Sequence, residues 1–415
     1  MTAGLEELTA VDRADVYKKG ELAAVLERTG QGVRFSYTDE WVAAGGAPVA
    51  STLPVVGEPV LTTGGAVPAY FAGLLPEGRR LSALRRNVKT SADDELTLVM
   101  AVGADAIGDV QVLPAGQQPH EVRPRLEVDD FGKVRFKELL DELEIQVDRV
   151  GLPGVQDKAS LAMLNLPVAA AGDRFLLKLN PPEYRHVVEN EAFFLEAARR
   201  TGLEVATADL VHDRDGEAGL VVRRFDRVTS AGGGTSAGGD SAGTVSLAVE
   251  DGCQALGLHP EAKYRVPTEQ LLARLSGLCE APVPAARTFL AQVVFAYVSG
   301  NGDAHAKNFS VLQDRTGRWA PAPAYDVPSS QPYGDNTMAL SVGGRRDGNI
   351  SRDRWVALGV ELGLPRRAAE RTVDRVAGAV DLWVDDLDTL PFDRGRIAKL
   401  ARVVRSRQQK LLRGY

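Results

Sequence analysis

One short stretch of the sequence places two acids and an amide in an order that suits phosphoryl transfer. Asp303 is followed five residues later by Asn308, and Asp326 comes after a predicted hairpin. Enzymes that transfer phosphoryl groups use one carboxylate to orient the attacking hydroxyl, and an Asn and a second carboxylate to hold Mg²⁺ on the phosphates. Asp-x-x-x-x-Asn is the spacing of a kinase catalytic loop, and Asp326 lies where the metal-binding Asp of the Asp-Phe-Gly motif would lie.

The same residues also suit an ordinary turn. Asp and Asn beside glycine often bond their own backbone, so Asp303 and Asn308 alone leave turn chemistry and catalysis both open. An apolar helical run at 289–298 precedes them, and a hairpin that turns at 313–317 follows them. Because Asp326 stands at the end of that hairpin, the phosphoryl-transfer interpretation is favoured.

A lysine inside an apolar strand gives a second indication. Lys178 lies in the run 174–180, which predicts a strand. An unpaired buried ammonium is costly, so Lys178 needs anionic partners such as ATP phosphates and a helix carboxylate. The alternative is a lysine that reaches solvent from an edge strand. The helix predicted at 188–202 carries Glu189 and Glu191 in its first turn, and either acid could pair with Lys178 or only complement the helix dipole.

Two glycine-rich segments flank this strand and helix. The turn at 150–154 leads into an alternating strand, and bare amides in such a turn can cradle phosphates. Lys158 could add charge there or simply lie on the solvent face. Strands predicted at 206–210 and 219–227 precede a Gly-, Ser- and Ala-rich segment at 230–243, whose composition predicts a mobile loop. A strand that leads into such a connector is where a hinge would bind adenine through backbone groups.

Length and composition limit the class of protein. The chain has 415 residues, which is enough for two or three domains that each bury a core. Its net charge of −7 argues against a protein that is basic throughout. Cys253 and Cys279 are the only cysteines, which argues against a disulfide framework or a zinc site and suits the cytosol. We find no export signal and no apolar run of 18 residues, so a membrane span is not expected.

The hydrophobic patterns predict an α+β fold built in several parts. An N-terminal α/β module is expected at 1–116, with strands at 14–26 and 32–37, a helix at 95–102 and a closing strand near 110. A linker and a helix at 131–143 fill residues 117–147. A β-rich lobe at 148–228 and a flexible loop at 229–244 precede a helical lobe at 245–415. In that last lobe, helices are expected at 250–258, at 267–280 and beyond 352, with a late strand at 338–342.

Several ordered motifs in this sequence resemble the HipA family, the serine/threonine kinase toxins of bacterial type II toxin–antitoxin pairs. The motifs are FAGLLPEGR at 71–79, GVQDK at 154–158, RFDR at 224–227, EDGCQALG at 250–257, GDAHAKNF at 302–309 and YDV at 325–327. The resemblance extends from the N-terminal module to the C-terminal helices. It implies an α/β module on a protein-kinase-like core with a small β-rich lobe and a large helical lobe.

The resemblance also implies roles for individual residues. Asp303 would be the catalytic base, supported by Asn308 and Lys178, and Asn308 and Asp326 would hold Mg²⁺. Glu189 or Glu191 would support Lys178. ATP would be contacted by Pro153, Gly154, Val155, Gln156, Asp157 and Lys158 of the phosphate loop, by Lys178, by the hinge residues Arg223, Arg224 and Phe225, and by His305, Ala306, Lys307, Asn308, Tyr325 and Asp326.

Function and partners follow from the same resemblance. Family members phosphorylate a serine of an aminoacyl-tRNA synthetase, which inhibits translation and growth. A HipB-like helix-turn-helix antitoxin neutralises them, and the complex binds operator DNA. One departure concerns regulation, because some members carry an autophosphorylated serine just before the phosphate loop. This sequence has Gly151 there, with Ser160 further along the strand, which puts that self-inhibition in doubt.

Two other functions stay open. The first is a small-molecule phosphotransferase, since Gly-Asp-x-x-x-x-Asn also suits antibiotic phosphotransferases; it would need an acidic, enclosed substrate pocket. The second is a non-catalytic binding protein with a kinase fold. That function is hard to reconcile with Lys178, Asp303, Asn308 and Asp326 in one chain.

The C-terminal segment 394–413 is basic and contains no acid. Its apolar residues recur at helical spacing, so one face should pack and the other should present cations. A solvated helix face and a contact with operator phosphates in an antitoxin complex are both open. The residues proposed for the phosphate contact are Arg402, Arg405 and Arg407.

Overall fold

The computed structural model describes residues 5–120, 126–127, 130–139, 164–170, 173–229 and 244–413. The chain divides into two compact units. The first comprises residues 1–123, 137–153 and 226–262, and the second comprises residues 124–136, 154–225 and 263–415. The predicted phosphate loop at 153–158, with Gly151 and Ser160, lies outside the described residues, as does the predicted flexible segment 230–243.

The fold is mixed α and β, as expected. The described α-helices are α1 (Asp39–Ala43), α2 (Ala69–Ala72), α3 (Gly78–Val88), α4 (Glu95–Val102), α5 (Val187–Arg200), α6 (Gly252–Leu256), α7 (Thr268–Leu278), α8 (Pro282–Ser299), α9 (Arg352–Glu361), α10 (Arg366–Gly378) and α11 (Arg394–Arg413). The described strands are β1 (Arg13–Lys18), β2 (Glu21–Thr29), β3 (Gly32–Tyr37), β4 (Val60–Thr63), β5 (Val110–Pro114), β6 (Leu126–Glu127), β7 (Leu164–Ala170), β8 (Asp173–Leu179), β9 (Ala208–His212), β10 (Ala218–Arg223), β11 (Arg227–Thr229), β12 (Thr244–Ser246), β13 (Val249–Asp251), β14 (Ser310–Gln313) and β15 (Trp319–Pro321).

The first unit is built on an antiparallel sheet of order β4-β3-β2-β1-β5. The closing strand expected near residue 110 is confirmed, because β5 pairs with β1 at the sheet edge. The single strand expected at 14–26 is wrong. The chain turns back at Lys19 and Gly20, both of which have positive φ, at 52° and 83°. Such a two-residue turn matches the twist of an antiparallel hairpin, whereas the apolar alternation on its two sides looked continuous.

Helices cover this sheet and complete its core. Phe35, Phe71 and Leu96 are buried within one apolar cluster. The helix expected at 250–258 begins only at Gly252, because Asp251 accepts a hydrogen bond from the Gln254 amide and caps α6. Glu250 accepts bonds at 2.6 Å from both the amide and the hydroxyl of Ser51. The EDGCQALG motif therefore has a structural role within the first unit.

The second unit begins with a sheet of order β6-β7-β8-β10-β9. Strand β8 lies between β7 and β10 and pairs with both in antiparallel fashion, so Lys178 is on an inner strand. The expectation of an apolar strand around Lys178 is confirmed, and the edge-strand alternative is wrong. Helix α5 follows β8 and packs on β9 and β10. Its aromatic residue Phe194 lies 5.8 Å from the Trp383 ring, and Phe295 of α8 lies 6.1 Å from the same ring.

The helix expected at 131–143 is only partly correct. Residues Phe131–Lys133 form a 3-10 turn, and a separate helical turn begins at Phe136. The Phe136 amide donates to Asp213 at 2.7 Å, which caps the second turn from a distant loop. Residues 140–143 lie outside the described part of the chain.

The rest of the second unit is largely helical, as expected. Helix α8 is the centre, with Phe289, Val294 and Tyr297 fully or almost fully buried. Burial of each such side chain contributes roughly 1.5–3 kcal/mol to folding. The expected hairpin is confirmed as β14 and β15, which pair antiparallel. The late strand expected at 338–342 is wrong, because this buried segment bonds irregularly, with the Met338 amide donating to the Arg346 carbonyl.

Helix α11 confirms the amphipathic pattern expected at 394–413, with one correction. Arg407 was expected among the phosphate-facing cations but is only 4% exposed. It donates to the carbonyls of Tyr297 and Asn336, so it belongs to the packed face. Arg405 is exposed and paired with Asp385. Among the described helices, none is long and apolar enough to cross a membrane.

Candidate active site

The loop at 301–308, which carries Asp303, begins at a well-anchored helix end. Helix α8 stops at Gly300, whose φ of 76° is the left-handed conformation that glycine favours at a helix C-terminus. A Cβ added at Gly300 would lie 2.5 Å from Cγ of Gln331, so a side chain there would also collide. The next residue, Asn301, accepts from the Asp303 amide at 3.0 Å and donates to the Asp326 carbonyl at 3.3 Å. The side chain of Asn301 therefore links Asp303, the predicted base, to Asp326, the predicted metal ligand.

Gly302 allows the loop to pack closely against the segment that follows Asp326. Its amide donates to the Ser330 hydroxyl at 2.8 Å. A Cβ at this position would lie 2.5 Å from the Asp335 carboxylate and 2.6 Å from the Ser330 hydroxyl. Only glycine allows this close approach, which explains why glycine directly precedes Asp303.

Asp326 and Asn308 lie side by side, as expected from the predicted hairpin between them. Nδ2 of Asn308 donates to Oδ2 of Asp326 at 2.7 Å. Asp326 has a φ of 56°, a left-handed conformation that Asp tolerates better than most residues and that often marks a functional position.

Asn308 also offers an oxygen that suits a metal ion. Its Oδ1 is buried and no donor in the described part of the chain reaches it. An orphaned amide oxygen beside a carboxylate fits Mg²⁺, which prefers oxygen ligands and takes its others from phosphates and water.

Lys178 joins the sheet to this pair of residues. Its ammonium donates to both carboxylate oxygens of Glu191, at 2.7 and 2.9 Å, and to Oδ1 of Asp326 at 3.2 Å. The sequence left Glu189 and Glu191 as equal candidates. The structure brings Glu191 to Lys178, whereas Glu189 accepts from Asn180 at 3.0 Å and contacts His186 at 2.8 Å.

The charged side chains of this cluster shift one another's pKa values. Burial alone would lower the pKa of Lys178, but the carboxylates of Asp326 and Glu191 outweigh it and raise that pKa. Burial raises the pKa of Glu191 against the opposing effect of Lys178. For Asp326, burial raises the pKa, but Lys178, His305 and the Asn308 bond together lower it below the ordinary value. One ammonium between two carboxylates leaves an excess of negative charge, which favours a cation at the exposed side of Asp326.

Tyr264 is a residue of this site that the sequence patterns did not indicate. Its hydroxyl donates to Oδ1 of Asp303 at 2.5 Å, and its ring lies 5.2 Å from that of His305 in an edge-to-face arrangement. Tyr264 precedes α7 and is 39 residues away from Asp303, so no local spacing connects the two. A donor on one carboxylate oxygen fixes the orientation of the Asp303 side chain.

We expect Tyr264→Phe to lower the turnover of phosphoryl transfer about 10-fold, which corresponds to roughly 1.4 kcal/mol of lost transition-state stabilisation. The KM for ATP should stay unchanged, because the Tyr264 hydroxyl bonds Asp303, the predicted catalytic base, which is not among the residues predicted to contact ATP. Steady-state kinetics would test this, with Tyr184→Phe as the matched control, since the Tyr184 ring stacks edge-on against Tyr333. Equal turnover for Tyr264→Phe and wild type would show that the bond has no role in transfer.

The other residues predicted to contact ATP lie around the same cluster where the structure describes them. The Phe225 ring is 5.6 Å from that of Tyr325, next to Arg223 at the end of β10 and the buried Arg224. The Tyr325 hydroxyl donates to the Lys307 carbonyl at 2.7 Å, within the turn Ala306–Asn308. The hinge and the loop residues 305–308 are thus joined through Tyr325.

Asn190 holds helix α5 against the segment after Asp326. It is fully buried, donates to the Ser329 carbonyl at 2.8 Å and accepts from the Ser329 amide at 3.0 Å. Asn190 directly precedes Glu191. These two hydrogen bonds therefore fix the position of the helix that presents Glu191 to Lys178. Sequence patterns could not reveal it, since a polar residue on an amphipathic helix ordinarily predicts an exposed position.

We expect Asn190→Ala to destabilise the fold and to impair the site together. The change leaves the buried amide and carbonyl of Ser329 without partners, at a cost of about 1–3 kcal/mol for each group. Urea unfolding would measure the loss, and the KM for ATP should rise because helix α5, which presents Glu191 to Lys178, loses its bonds to Ser329. Asn349→Ala is the control, since Asn349 is exposed and its side chain bonds Lys410 at the surface. An unchanged urea midpoint for Asn190→Ala would contradict the assignment.

Comparisons with known proteins identify the family of this chain. Residues 14–113 match the family model described as the HipA N-terminal domain, and residues 150–383 match the HipA-like C-terminal domain. The second match alone spans more than half of the chain. The chain belongs to the HipA family. The resemblance found in the sequence motifs is therefore confirmed.

Individual HipA relatives cover almost the whole chain. A putative kinase of Sinorhizobium fredii, Y4mE, is 32% identical over 409 residues, which cover 92% of this chain and 93% of the relative. The serine/threonine-protein kinase toxin HipA of Shewanella oneidensis is 27% identical over 390 residues, covering 86% of this chain and 84% of the relative. Both relatives are named as kinases, which are enzymes that transfer phosphoryl groups.

A solved structure supports the fold. The Shewanella oneidensis HipA in a complex with HipB and operator DNA superposes with a TM-score of 0.76 at 23% identity, covering 97% of this chain and 98% of the solved one. The expected α+β, kinase-like fold is thereby confirmed.

Proposed function

We propose that this HipA-family chain is an ATP- and Mg²⁺-dependent serine/threonine protein kinase. The observation that carries the proposal is the convergence of Lys178, Glu191, Asp326 and Asn308 within direct hydrogen-bond distances, with Asp303 tied to Asp326 through Asn301. Each residue type matches a known requirement of phosphoryl transfer.

Each of these residues has a distinct task in the proposed reaction. Asp303 orients the serine hydroxyl and accepts its proton as the oxygen bonds to the γ-phosphorus and the bond to ADP breaks. Lys178, positioned by Glu191, bonds ATP phosphates, and the hinge at Arg223–Phe225 receives the adenine. Asn308 and Asp326 would hold Mg²⁺. When bound, this ion neutralises charge on the β- and γ-phosphates.

The relatives support a biological setting for this chain. The Shewanella relative is named as a kinase toxin, and its solved structure includes HipB and operator DNA. We infer for this chain a HipB-like antitoxin, an operator-bound complex, and a serine of an aminoacyl-tRNA synthetase as target, so that phosphorylation inhibits translation and growth. A substrate of this kind would place the activity in the cytoplasm.

Incubation of the purified chain with γ-labelled ATP, Mg²⁺ and a bacterial lysate tests the proposal. The expected result is label on a discrete protein band, lost with Asp303→Asn, and a mass-spectrometric phosphate on serine. Label on a small molecule would instead support a small-molecule phosphotransferase. No transfer at all, with ATP still bound, would support a non-catalytic binding protein.

A further inference from the structure

A groove of about 440 Å³ lies in the second unit between helix α11 and the segment that follows Asp326. None of the residues assigned to catalysis or nucleotide binding lines it. The lining residues that matter here are Gln331, Asn336, Lys399, Arg402, Ser406 and Arg407. The wall of the groove therefore contains three cationic side chains and no acid.

The three cations lack carboxylate partners. No carboxylate in the described part of the chain lies within salt-bridge distance of Lys399, Arg402 or Arg407. Lys399 and Arg402 are exposed, whereas Arg407 is 4% exposed and bonds only backbone carbonyls, with its guanidinium 4.8 Å from the centre of the Tyr297 ring. Burial lowers the pKa of Arg407 even though Tyr297 and Asp335 oppose that shift. A buried cation is costly, and an anion in the groove would offset the remaining cost.

The groove also contains polar groups that can bond to an anion or to the chain that carries it. Gln331 is 3% exposed, and neither atom of its carboxamide has a partner in the described residues. Ser406 and Asn336, whose side chains carry a hydroxyl and a carboxamide, also line the groove. A phosphoryl group has three strong acceptor oxygens, and arginine binds such groups with parallel hydrogen bonds.

We propose that this groove binds a phosphorylated side chain of a polypeptide. The proposal rests on the proposed function only in that the polypeptide would be a substrate or partner of the kinase. The depth of the groove favours a phosphorylated side chain over nucleic acid as its ligand. The phosphates of a duplex lie on a broad, stiff backbone and would meet the exposed Lys399 and Arg402 at the rim, whereas a single phosphoserine side chain is narrow enough to enter the groove, where Arg407 and Gln331 form the buried part of the lining.

The position of the groove links the bound residue to the catalytic loop. Gln331 packs against Gly300, and Ser330 bonds the amide of Gly302. A polypeptide anchored in the groove would cross the segment 330–336, which supports the loop that carries Asp303.

Fluorescence anisotropy with the full chain tests the proposal in the absence of ATP. The probe is a labelled peptide with one phosphoserine flanked by Gly and Ala, and the matched probe has an unmodified serine. We expect the phosphorylated peptide to bind at least about 10-fold more tightly, and inorganic phosphate to compete with it. The double variant Lys399→Glu/Arg402→Glu should lose this preference, and Arg413→Glu, an exposed change on the same helix, should keep it.

Each alternative outcome is informative. Equal binding of the two peptides, or unaltered binding by the double variant with a wild-type melting temperature, would overturn the proposal. If a labelled DNA duplex bound through Lys399 and Arg402 while the phosphopeptide did not, the surface would be a nucleic-acid contact instead. Because the assay contains no ATP, a chain that binds the phosphopeptide but transfers no phosphate would refute the proposed function alone.

Discussion

Asp303→Asn is expected to lower phosphoryl transfer by about 10²- to 10⁴-fold, the usual contribution of a positioned general base. The substitution keeps the shape of the side chain and an oxygen that can accept from Tyr264. It removes the negative charge that takes the proton of the attacking hydroxyl. ATP binding should be nearly unchanged, because Lys178, Asn308 and Asp326 remain in place. Initial rates with labelled ATP, together with ATP titration, measure the two effects separately.

The control for this substitution is Asp388→Asn, which makes the same chemical change at an exposed acid of the second unit. It should transfer phosphate at the wild-type rate. If Asp303→Asn kept most of its transfer activity, another group would have to be the base, and the kinase-like role of the loop 301–308 would fail with it.

Asp326→Asn is expected to abolish Mg²⁺-dependent transfer, with a loss of at least about 100-fold. Asn also tolerates the left-handed backbone at this position better than Ala would, so the change tests charge more than conformation. The Lys178–Glu191 pair stays intact in this variant, and the core around it should remain folded. Unlike Asp303→Asn, this variant should weaken binding of ATP in the presence of Mg²⁺, which calorimetric titration with and without the ion would reveal.

The ionisation of Asp326 adds a dependence on pH. Its folded pKa lies below the ordinary value, so its charge stabilises the folded state above the unfolded pKa near 4. That contribution is lost as the pH falls through the folded pKa. Wild type and Asp326→Asn should therefore differ in stability at neutral pH and converge in strong acid. A difference that grew as the pH fell would contradict the ion pair with Lys178.

Much of this protein could be predicted from local patterns in its sequence. The spacing of Asp303 and Asn308, the hairpin before Asp326 and the apolar strand around Lys178 depend on residues close together in the chain. Turn residues, alternation and helical periodicity act over that same short range. The ordered motifs then identified the family, since each motif reflects a backbone or ligand requirement that few other sequences meet.

The tertiary structure decided which of the candidate residues meet. Glu189 and Glu191 are two positions apart, which places them about 200° apart around helix α5, and only the docking of that helix brings Glu191 to Lys178. The same limit applies to Tyr264 and Asp303, to Asn190 and Ser329, and to the burial of Arg407. These contacts join residues 39 to 139 positions apart, and no periodicity specifies them. They arise because packed helices and loops must satisfy every buried polar group with whichever partner the fold brings near.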